Sequence, residues 1–182
     1  KSSGNRIHDV YNLFKLTEIK GSNNINSTVI EFGAGYGNFC NLFFKLNKIE
    51  NYIIYDLLEV NLIQYYYLKM LGFKVILNPK YMNKEKTIYL FNNINQLNNF
   101  IKNINLKKSI FISNWGLSET PIYLRKKFNK ILKNSNQKFF AFQENFGNVN
   151  NLNFFNKLLK NEKISIECQK RANENHYYFF SS

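Results

Sequence analysis

An acidic residue and a set of glycines lie close together near the start of the chain. Glu31 follows an apolar stretch, and Gly33, Gly35 and Gly37 come after it at alternate positions in the segment VIEFGAGYGNF. Glycine has no side chain, so the backbone there is able to form sharp turns and to approach a ligand closely. A second acid, Asp56, lies 19 residues after Gly37, at the end of the apolar stretch NYIIYD. The pattern predicts a ligand-binding turn between two carboxylates.

The spacing of the glycines distinguishes between classes of ligand. Dinucleotide-binding proteins have the fingerprint G-x-G-x-x-G, in which a helix N-terminus binds pyrophosphate. Here the spacing is G-x-G-x-G, and Asn38 stands at the position of the last glycine of that fingerprint. This argues against a nicotinamide-dependent oxidoreductase. Because Glu31 would repel a pyrophosphate, we expect a ligand that has ammonium or sulfonium groups and no phosphate, and S-adenosylmethionine has both cations.

Asp56 is the second residue that bears on the ligand. An acid at the end of the second strand of an α/β sheet is placed to accept hydrogen bonds from ribose hydroxyls. The alternative interpretation is that Asp56 is the N-cap of the helix that follows it. The glycine turn upstream favours the ribose interpretation.

Alternating strands and helices are predicted to position these residues. The predicted helices are 7–19, 38–46, 59–71, 95–103, 121–132 and 152–159, and the predicted strands are 28–32, 51–56, 74–77, 87–91, 109–113, 138–143, 163–168 and 175–180. Only one of 74–77 and 87–91 is expected in the main sheet, which gives about seven strands. The alternation predicts a mostly parallel sheet with helices on both faces. Because a short turn joins the last two strands, they are expected to pair antiparallel.

The glycine segment and the second acid resemble the class I S-adenosylmethionine-dependent methyltransferases. EFGAGYG at 31–37 corresponds to their first motif, and Asp56 to their second-strand acid. The resemblance covers about 28–180 and implies a Rossmann-like fold, with S-adenosylmethionine as cofactor and S-adenosylhomocysteine as product. We expect a single domain over 1–182, in which 1–27 is a leading helical segment or cofactor lid. The cofactor-binding residues that this implies are Glu31, Gly33, Ala34, Gly35, Tyr36, Gly37, Asp56, Leu57 and Asn114.

Other residues are expected to complete the cofactor site. Asn92 and Asn93 are placed to bind the adenine if 87–91 is the third strand of the sheet, whereas Asn78 takes this role if 74–77 is. Arg6, on the leading segment, is a candidate to pair with the carboxylate of the cofactor. The alternative for Arg6 is an exposed position at the start of a helix.

Three further segments resemble the sugar O-methyltransferases of bacterial surface-polysaccharide clusters. They are DLLEV at 56–60, QYYYLKMLGF at 64–73 and SNWGLSET at 113–120. Leu58 stands where proline is common in that family, and Thr120 where methionine is common. The resemblance implies methylation of a hydroxyl on a sugar or a related small polar acceptor.

The loop after the predicted strand 109–113 holds the main catalytic candidates. A sugar hydroxyl is a poor nucleophile, so a general base usually assists its methylation. Glu119 is the candidate base, and the alternative is that Ser118 or Glu119 caps the helix that begins near Pro121. Asn114 is expected beside the methyl group, with Trp115 as a wall of the pocket. His176 is a further catalytic candidate, with a structural or surface role as the alternative.

The net charge of +13, from 25 Lys and Arg and 12 Asp and Glu, raises the alternative of an RNA or DNA methyltransferase. The lysines are scattered, and no N/D-P-P-Y/F-like tetrad follows the predicted strand 109–113. Nucleic acid is therefore the less favoured acceptor. A non-catalytic binding module is disfavoured because the glycine turn and both acids are intact.

Cysteines, histidines and apolar stretches bear on metals and on localisation. Cys40 and Cys168 are far apart, no CxxC is present and both histidines are isolated, so no metal is predicted. We expect a reduced cytoplasmic protein with two buried thiols. No apolar stretch is long enough to predict an integral membrane segment. The chain begins at Lys1 without a methionine, and its oligomeric state is open.

Overall fold

Helices and strands alternate along the chain in a computed structural model, which describes residues 4–20, 28–46, 49–83, 85–169 and 175–181. The helices are α1 (Gly4–Lys20), α2 (Asn38–Leu46), α3 (Leu58–Met70), α4 (Ile94–Ile101), α5 (Ile122–Lys127), α6 (Asn129–Asn134) and α7 (Asn151–Leu158). The strands are β1 (Thr28–Phe32), β2 (Asn51–Tyr55), β3 (Val75–Leu77), β4 (Thr87–Phe91), β5 (Ser109–Asn114), β6 (Gln137–Gln143), β7 (Asn145–Phe146), β8 (Val149–Asn150), β9 (Ile164–Cys168) and β10 (His176–Ser181). Short 3-10 helices lie at Leu106–Lys108 and Gly116–Glu119.

Eight of the described strands form one sheet, in the order β3-β4-β2-β1-β5-β6-β10-β9. β10 is antiparallel to β6 and to β9, and the other neighbouring strands are parallel. This confirms the predicted α/β sheet with a C-terminal antiparallel pair, whose connecting turn at 170–174 lies outside the described residues. The expectation that only one of 74–77 and 87–91 belongs to the main sheet is wrong, because both join it, so the described sheet has eight strands. β4 lies next to β2, and β3 pairs with the outer edge of β4.

Two segments in the second half of the chain differ from the sequence prediction. The predicted helix over 121–132 is divided into α5 and α6 at Phe128, whose buried ring packs against Phe32 and Tyr55 at centroid distances of 4.8 and 4.9 Å. A short hairpin of β7 and β8 follows β6. Strands of two residues are too short to show an apolar alternation, so no local pattern predicted this hairpin.

Apolar side chains fill both faces of the sheet. Successive residues of a strand point to opposite faces, and Val29 and Ile30 accordingly belong to two separate buried clusters. α1, α2 and α3 cover the face with Val29, whereas α4, α6 and α7 cover the face with Ile30. The core therefore holds β1 rigidly at the centre of the sheet, which fixes the position of the glycine turn that follows it.

Two features bear on the expected environment of the chain. Cys40 and Cys168 form no disulfide; Cys40 is buried, but Cys168 is only partly buried because it ends the edge strand β9. The expectation of two buried thiols is therefore wrong for Cys168. Across the described ranges, we find no helix with the length and apolar character needed to cross a membrane.

The loops after the central strands β1 and β5 meet at two glycines. Gly33 has φ +73°, and a Cβ atom on it would lie 2.8 Å from the Cα of Gly116. In turn, a Cβ atom on Gly116 would lie 2.8 Å from the carbonyl oxygen of Phe32. Distances this short are incompatible with any side chain, so the two loops are in backbone contact only because both residues are glycine.

We expect Gly33→Ala to lower the free energy of unfolding by about 2–4 kcal/mol, because it combines a left-handed backbone with a steric clash. Gly72→Ala is the matched control, since Gly72 has φ +84° but open space around its Cα. The control should cost about 1 kcal/mol. Urea unfolding of the two variants measures the difference, and equal losses would show that the contact with Gly116 is not a constraint.

Candidate active site

A cavity of about 390 Å³ opens at the carboxyl ends of β1 and β5. Its lining residues come from α1, the glycine turn, the start of α2 and the end of β5. They are His8, Asp9, Asn12, Glu31, Gly33, Ala34, Gly35, Tyr36, Asn38, Phe39, Asn114 and Trp115. The cavity thus brings together six of the predicted cofactor-binding residues: Glu31, Gly33, Ala34, Gly35, Tyr36 and Asn114. Ligands of open α/β sheets bind at this edge, beyond the carboxyl ends of the strands.

Glu31 is a buried carboxyl group in the wall of this cavity, with 1% of its surface exposed. The pKa of Glu31 is raised to about 8, because burial and the charges of Asp9 and Asp56 raise it more than the hydrogen bond from the Tyr52 hydroxyl lowers it. The Tyr52 hydroxyl donates to Oε2 at 2.7 Å. Among the described residues that line the cavity, none is a lysine or an arginine. A cationic ligand would therefore stabilise the charged form of Glu31.

Because its pKa is raised, Glu31 lowers the stability of the folded chain at pH values above the ordinary pKa of a carboxyl group. An unfolded chain loses this proton near pH 4.5, whereas the folded chain keeps it up to about pH 8. Stability therefore falls as the pH rises through this window.

We expect Glu31→Gln to raise the free energy of unfolding at pH 8 by roughly 2–4 kcal/mol, because the amide is neutral and its oxygen still accepts from Tyr52. The gain should vanish near pH 4. Urea unfolding at both pH values measures it, with Glu50→Gln, at an exposed position, as the control. A gain that does not depend on pH would contradict the raised pKa.

Asp9 is a second carboxylate of the cavity, and the sequence analysis missed it. It lies on α1, and the Asn38 side-chain amide donates to its Oδ2 at 2.6 Å. Burial raises the pKa of Asp9, while the hydrogen bond from Asn38 and the charge of His8 lower it. The available signal was an acid on the leading helix, but the sequence does not tell which face of that helix meets the glycine turn.

Contacts with the far end of the sheet hold α1 in this orientation. The Tyr178 hydroxyl donates to Oδ1 of Asn12 at 2.9 Å in a buried hydrogen bond. Lys15 forms a salt bridge of 2.7 Å with Glu167 on β9. Arg6, the predicted partner of the cofactor carboxylate, is exposed on α1 and is not among the residues that line the cavity.

Asp56 lies beside the glycine turn, outside the cavity lining. Its Oδ1 accepts from the Leu57 backbone N–H and its Oδ2 from Gln64 Nε2, both at 2.9 Å. The backbone N–H groups of Ala34 and Gly35 also lower its pKa, but burial is the largest effect and raises it. The N-cap of α3 is Leu57, without a side-chain hydrogen bond, so Asp56 is not that cap.

Gln64 on α3 is a further residue that the sequence analysis missed. It is fully buried, and its Nε2 donates to the Gly35 carbonyl oxygen at 2.6 Å as well as to Asp56. Asn61 Nδ2 donates in turn to Gln64 Oε1 at 2.9 Å. The two buried amides link the end of β2 to the glycine turn. Asn61 and Gln64 are three residues apart and therefore lie on one face of α3. This spacing was the signal in the sequence for a pair of contacting amides.

Asn114 and Trp115 form the wall of the cavity at the end of β5. Both polar atoms of the Asn114 side chain are buried and have no hydrogen-bond partner. Trp115 has φ +72°, which is strained for a residue with a side chain. Its backbone N–H donates to the Ala141 carbonyl oxygen at 2.7 Å, and its ring makes an edge contact with the His176 ring at a centroid distance of 4.8 Å. Strained residues and unpaired buried polar groups concentrate at functional sites.

Six other predicted residues lie outside the cavity lining. Glu119 is exposed at the end of its 3-10 helix, and His176 is only partly buried, with its Nδ1 unpartnered. The N-cap of α5 is Pro121, without a side-chain hydrogen bond, so neither Ser118 nor Glu119 caps that helix. Asn93 caps α4 by accepting from the N–H groups of Asn95 and Gln96. Gly37 and Leu57 flank the glycine turn and Asp56, and Asn92 follows β4, the strand next to β2.

A fully buried arginine, Arg125, holds the loop that carries Trp115. Its Nε donates to the Thr120 carbonyl oxygen at 2.7 Å and its Nη2 to the Ser118 carbonyl oxygen. Its Nη1 donates to Asn151 Oδ1 at 2.6 Å, and Asn151 Nδ2 donates to the Gln143 carbonyl oxygen at 2.8 Å. The guanidinium therefore links the loop after β5 to the loop after β6.

We expect Arg125→Met to lower the free energy of unfolding by about 3 kcal/mol, because two buried carbonyl groups and Asn151 lose their donor. Lys126→Met is the matched control, since Lys126 is exposed on the same helix. Urea unfolding measures the loss, and the emission of Trp115, the one tryptophan of the chain, reports on the loop. Equal stability of the two variants would contradict this role.

No protein family model matches the chain, and no curated protein matches it in sequence. Solved structures do match it. A SAM-dependent methyltransferase of Aquifex aeolicus has a TM-score of 0.65 at 14% identity, over 98% of this chain and 92% of its own. The methyltransferase domain of bacterial CtHen1 has a TM-score of 0.64 at 13% identity, over 99% and 100%. An rRNA methylase of Streptococcus thermophilus has a TM-score of 0.58 at 13% identity, over 87% of each chain.

The chain has the Rossmann-like fold of class I methyltransferases. At these identities the similarity establishes the fold and leaves the reaction to be inferred from the site.

Proposed function

We propose that the chain is an S-adenosylmethionine-dependent methyltransferase that methylates a hydroxyl group of a sugar or a related small polar acceptor in surface-polysaccharide biosynthesis. The observation that carries the proposal is the buried Glu31 beside a glycine turn at the carboxyl edge of the sheet, in a cavity whose described lining contains no lysine or arginine. A ligand with phosphates is unfavourable there. A cationic ligand is favourable, and the cofactor of class I methyltransferases is one.

The residues present fit this cofactor. Gly35 has open space around its Cα, which leaves the backbone open to a ligand, and the buried Glu31 stands where an ammonium group would balance its charge. Asp56 is held by Leu57 and Gln64 at the end of β2, where it would bind the ribose hydroxyls. Asn92 and Asn93 follow β4, the strand next to β2, and are the candidates for adenine.

The bound cofactor supplies an activated methyl group, so the residues of this chain mainly have to position the acceptor. Asn114 is our candidate for this role, because its amide has both a donor and an acceptor without a partner inside the protein. A hydroxyl group is able to satisfy both. Trp115 shields the same side of the cavity from water.

A group that accepts the hydroxyl proton is also needed. His176 contacts the Trp115 ring and has an unpartnered Nδ1, which makes it a candidate base. Glu119 is the second candidate and is exposed on the same loop as Trp115, so it would have to turn inward to act.

An RNA or DNA acceptor is the second candidate function. The net charge of +13 favours it, since lysines and arginines bind phosphates. Binding of RNA that falls steeply with salt concentration would support this alternative over a sugar acceptor.

We expect the chain to bind S-adenosylhomocysteine with micromolar affinity and Asp56→Ala to lose at least tenfold, because Asp56 would no longer bind the ribose. Isothermal titration calorimetry measures both. Glu59→Ala is the matched control, since Glu59 is exposed three residues away and should bind normally. The absence of binding by folded wild-type protein would refute the proposed function.

A further inference from the structure

The cavity has two carboxylates in a chain that is strongly basic. The chain holds 25 lysines and arginines, yet the described residues that line the cavity include Asp9 and Glu31 and neither of those basic residue types. Within this described lining, His8 is the residue whose side chain is able to carry a positive charge. Glu31 is buried and Asp9 is half-buried, and two carboxylates in one cavity are unfavourable unless a cation accompanies them. The cationic ligand of the proposed function explains Glu31, whereas Asp9 has no role assigned so far.

Each carboxylate has one oxygen engaged within the protein. The Tyr52 hydroxyl donates to Oε2 of Glu31, and the Asn38 amide donates to Oδ2 of Asp9. Both residues line the same cavity. The second oxygen of each carboxylate is therefore left to accept a hydrogen bond from a ligand bound there. Asn38 begins α2 directly after the glycine turn, so its hydrogen bond fixes Asp9 relative to that turn. The two acids therefore approach the same space from opposite elements, α1 and β1.

We propose that Asp9 is a second anionic ligand, beside Glu31, of the ammonium group at the amino-acid end of the bound cofactor. This inference rests on the proposed function. An ammonium group has three N–H donors and no acceptor. Two carboxylate oxygens satisfy two of these donors and balance the charge. The pair would make the site selective for ligands that are cationic at this end.

The competing explanation is that Asp9 only attaches α1 to α2 through Asn38. A structural role of this kind would weaken all ligands of the cavity equally when Asp9 is replaced. A ligand contact would weaken only those ligands that have the ammonium group. Two probes separate the explanations: S-adenosylhomocysteine, which has the amino-acid end, and 5′-methylthioadenosine, which has the same adenosine and thioether without it.

We expect Asp9→Asn to lower the affinity for S-adenosylhomocysteine by about tenfold, the usual effect of losing one charge-assisted hydrogen bond. Its affinity for 5′-methylthioadenosine should stay within twofold of wild type. Calorimetry with both probes measures the two affinities. Glu18→Gln is the matched control, since Glu18 is an exposed acid on α1 and should change neither affinity. Asp9→Ser provides the same test if the asparagine variant does not fold.

The outcomes separate this inference from the proposed function. Equal losses for both probes, or no loss for either, overturn the role of Asp9 while the proposed function stands. Failure of folded wild-type protein to bind S-adenosylhomocysteine overturns both. A selective loss for S-adenosylhomocysteine supports the pair of carboxylates.

Discussion

The burial of Glu31 is the physical constraint on which the site depends. A carboxyl group at the end of the central strand, away from water, is unfavourable in its charged form, and its pKa of about 8 reflects this. Tyr52 on the neighbouring strand donates to one of its oxygens, and none of the described lining residues is a lysine or an arginine. The glycine turn, α1 and the end of β5 surround this carboxyl group. They form a site in which a cationic ligand would provide the missing charge.

A second constraint joins the loops on either side of this carboxyl group. The contact between Gly33 and Gly116 brings the ends of β1 and β5 to backbone distance, which fixes Asn114 and Trp115 relative to the glycine turn. The strained Trp115 is held by hydrogen bonds to Ala141 and from Ser118, and Arg125 holds the rest of the loop. The cavity is therefore formed by backbone geometry as much as by side chains.

The charge of the site is opposite to the charge of the whole chain. A net charge of +13 favours a polyanionic partner, but the cavity is lined by Asp9 and Glu31. The exposed lysines and arginines keep their charges in water, and the few ionisable groups that line the cavity have the largest effect on its potential. For this reason the composition did not predict the charge of the cavity, whereas the position of Glu31 before the glycines did.

Local patterns in the sequence predicted most of the helices and strands and the first half of the site. Strand and helix periodicity, the glycine turn after Glu31, the acid after β2 and the final antiparallel pair are all encoded within short segments, so local patterns reveal them. Three features depend on tertiary packing instead. β3 pairs with β4 in the sheet, Asp9 lines the same cavity as Glu31, and Gln64 and Arg125 hold the loops. Asp9 and Asn38 are 29 residues apart, and so are Gln64 and Gly35. Which face of α1 or α3 turns inward depends on the packing of distant elements, and a local pattern carries no information about that packing.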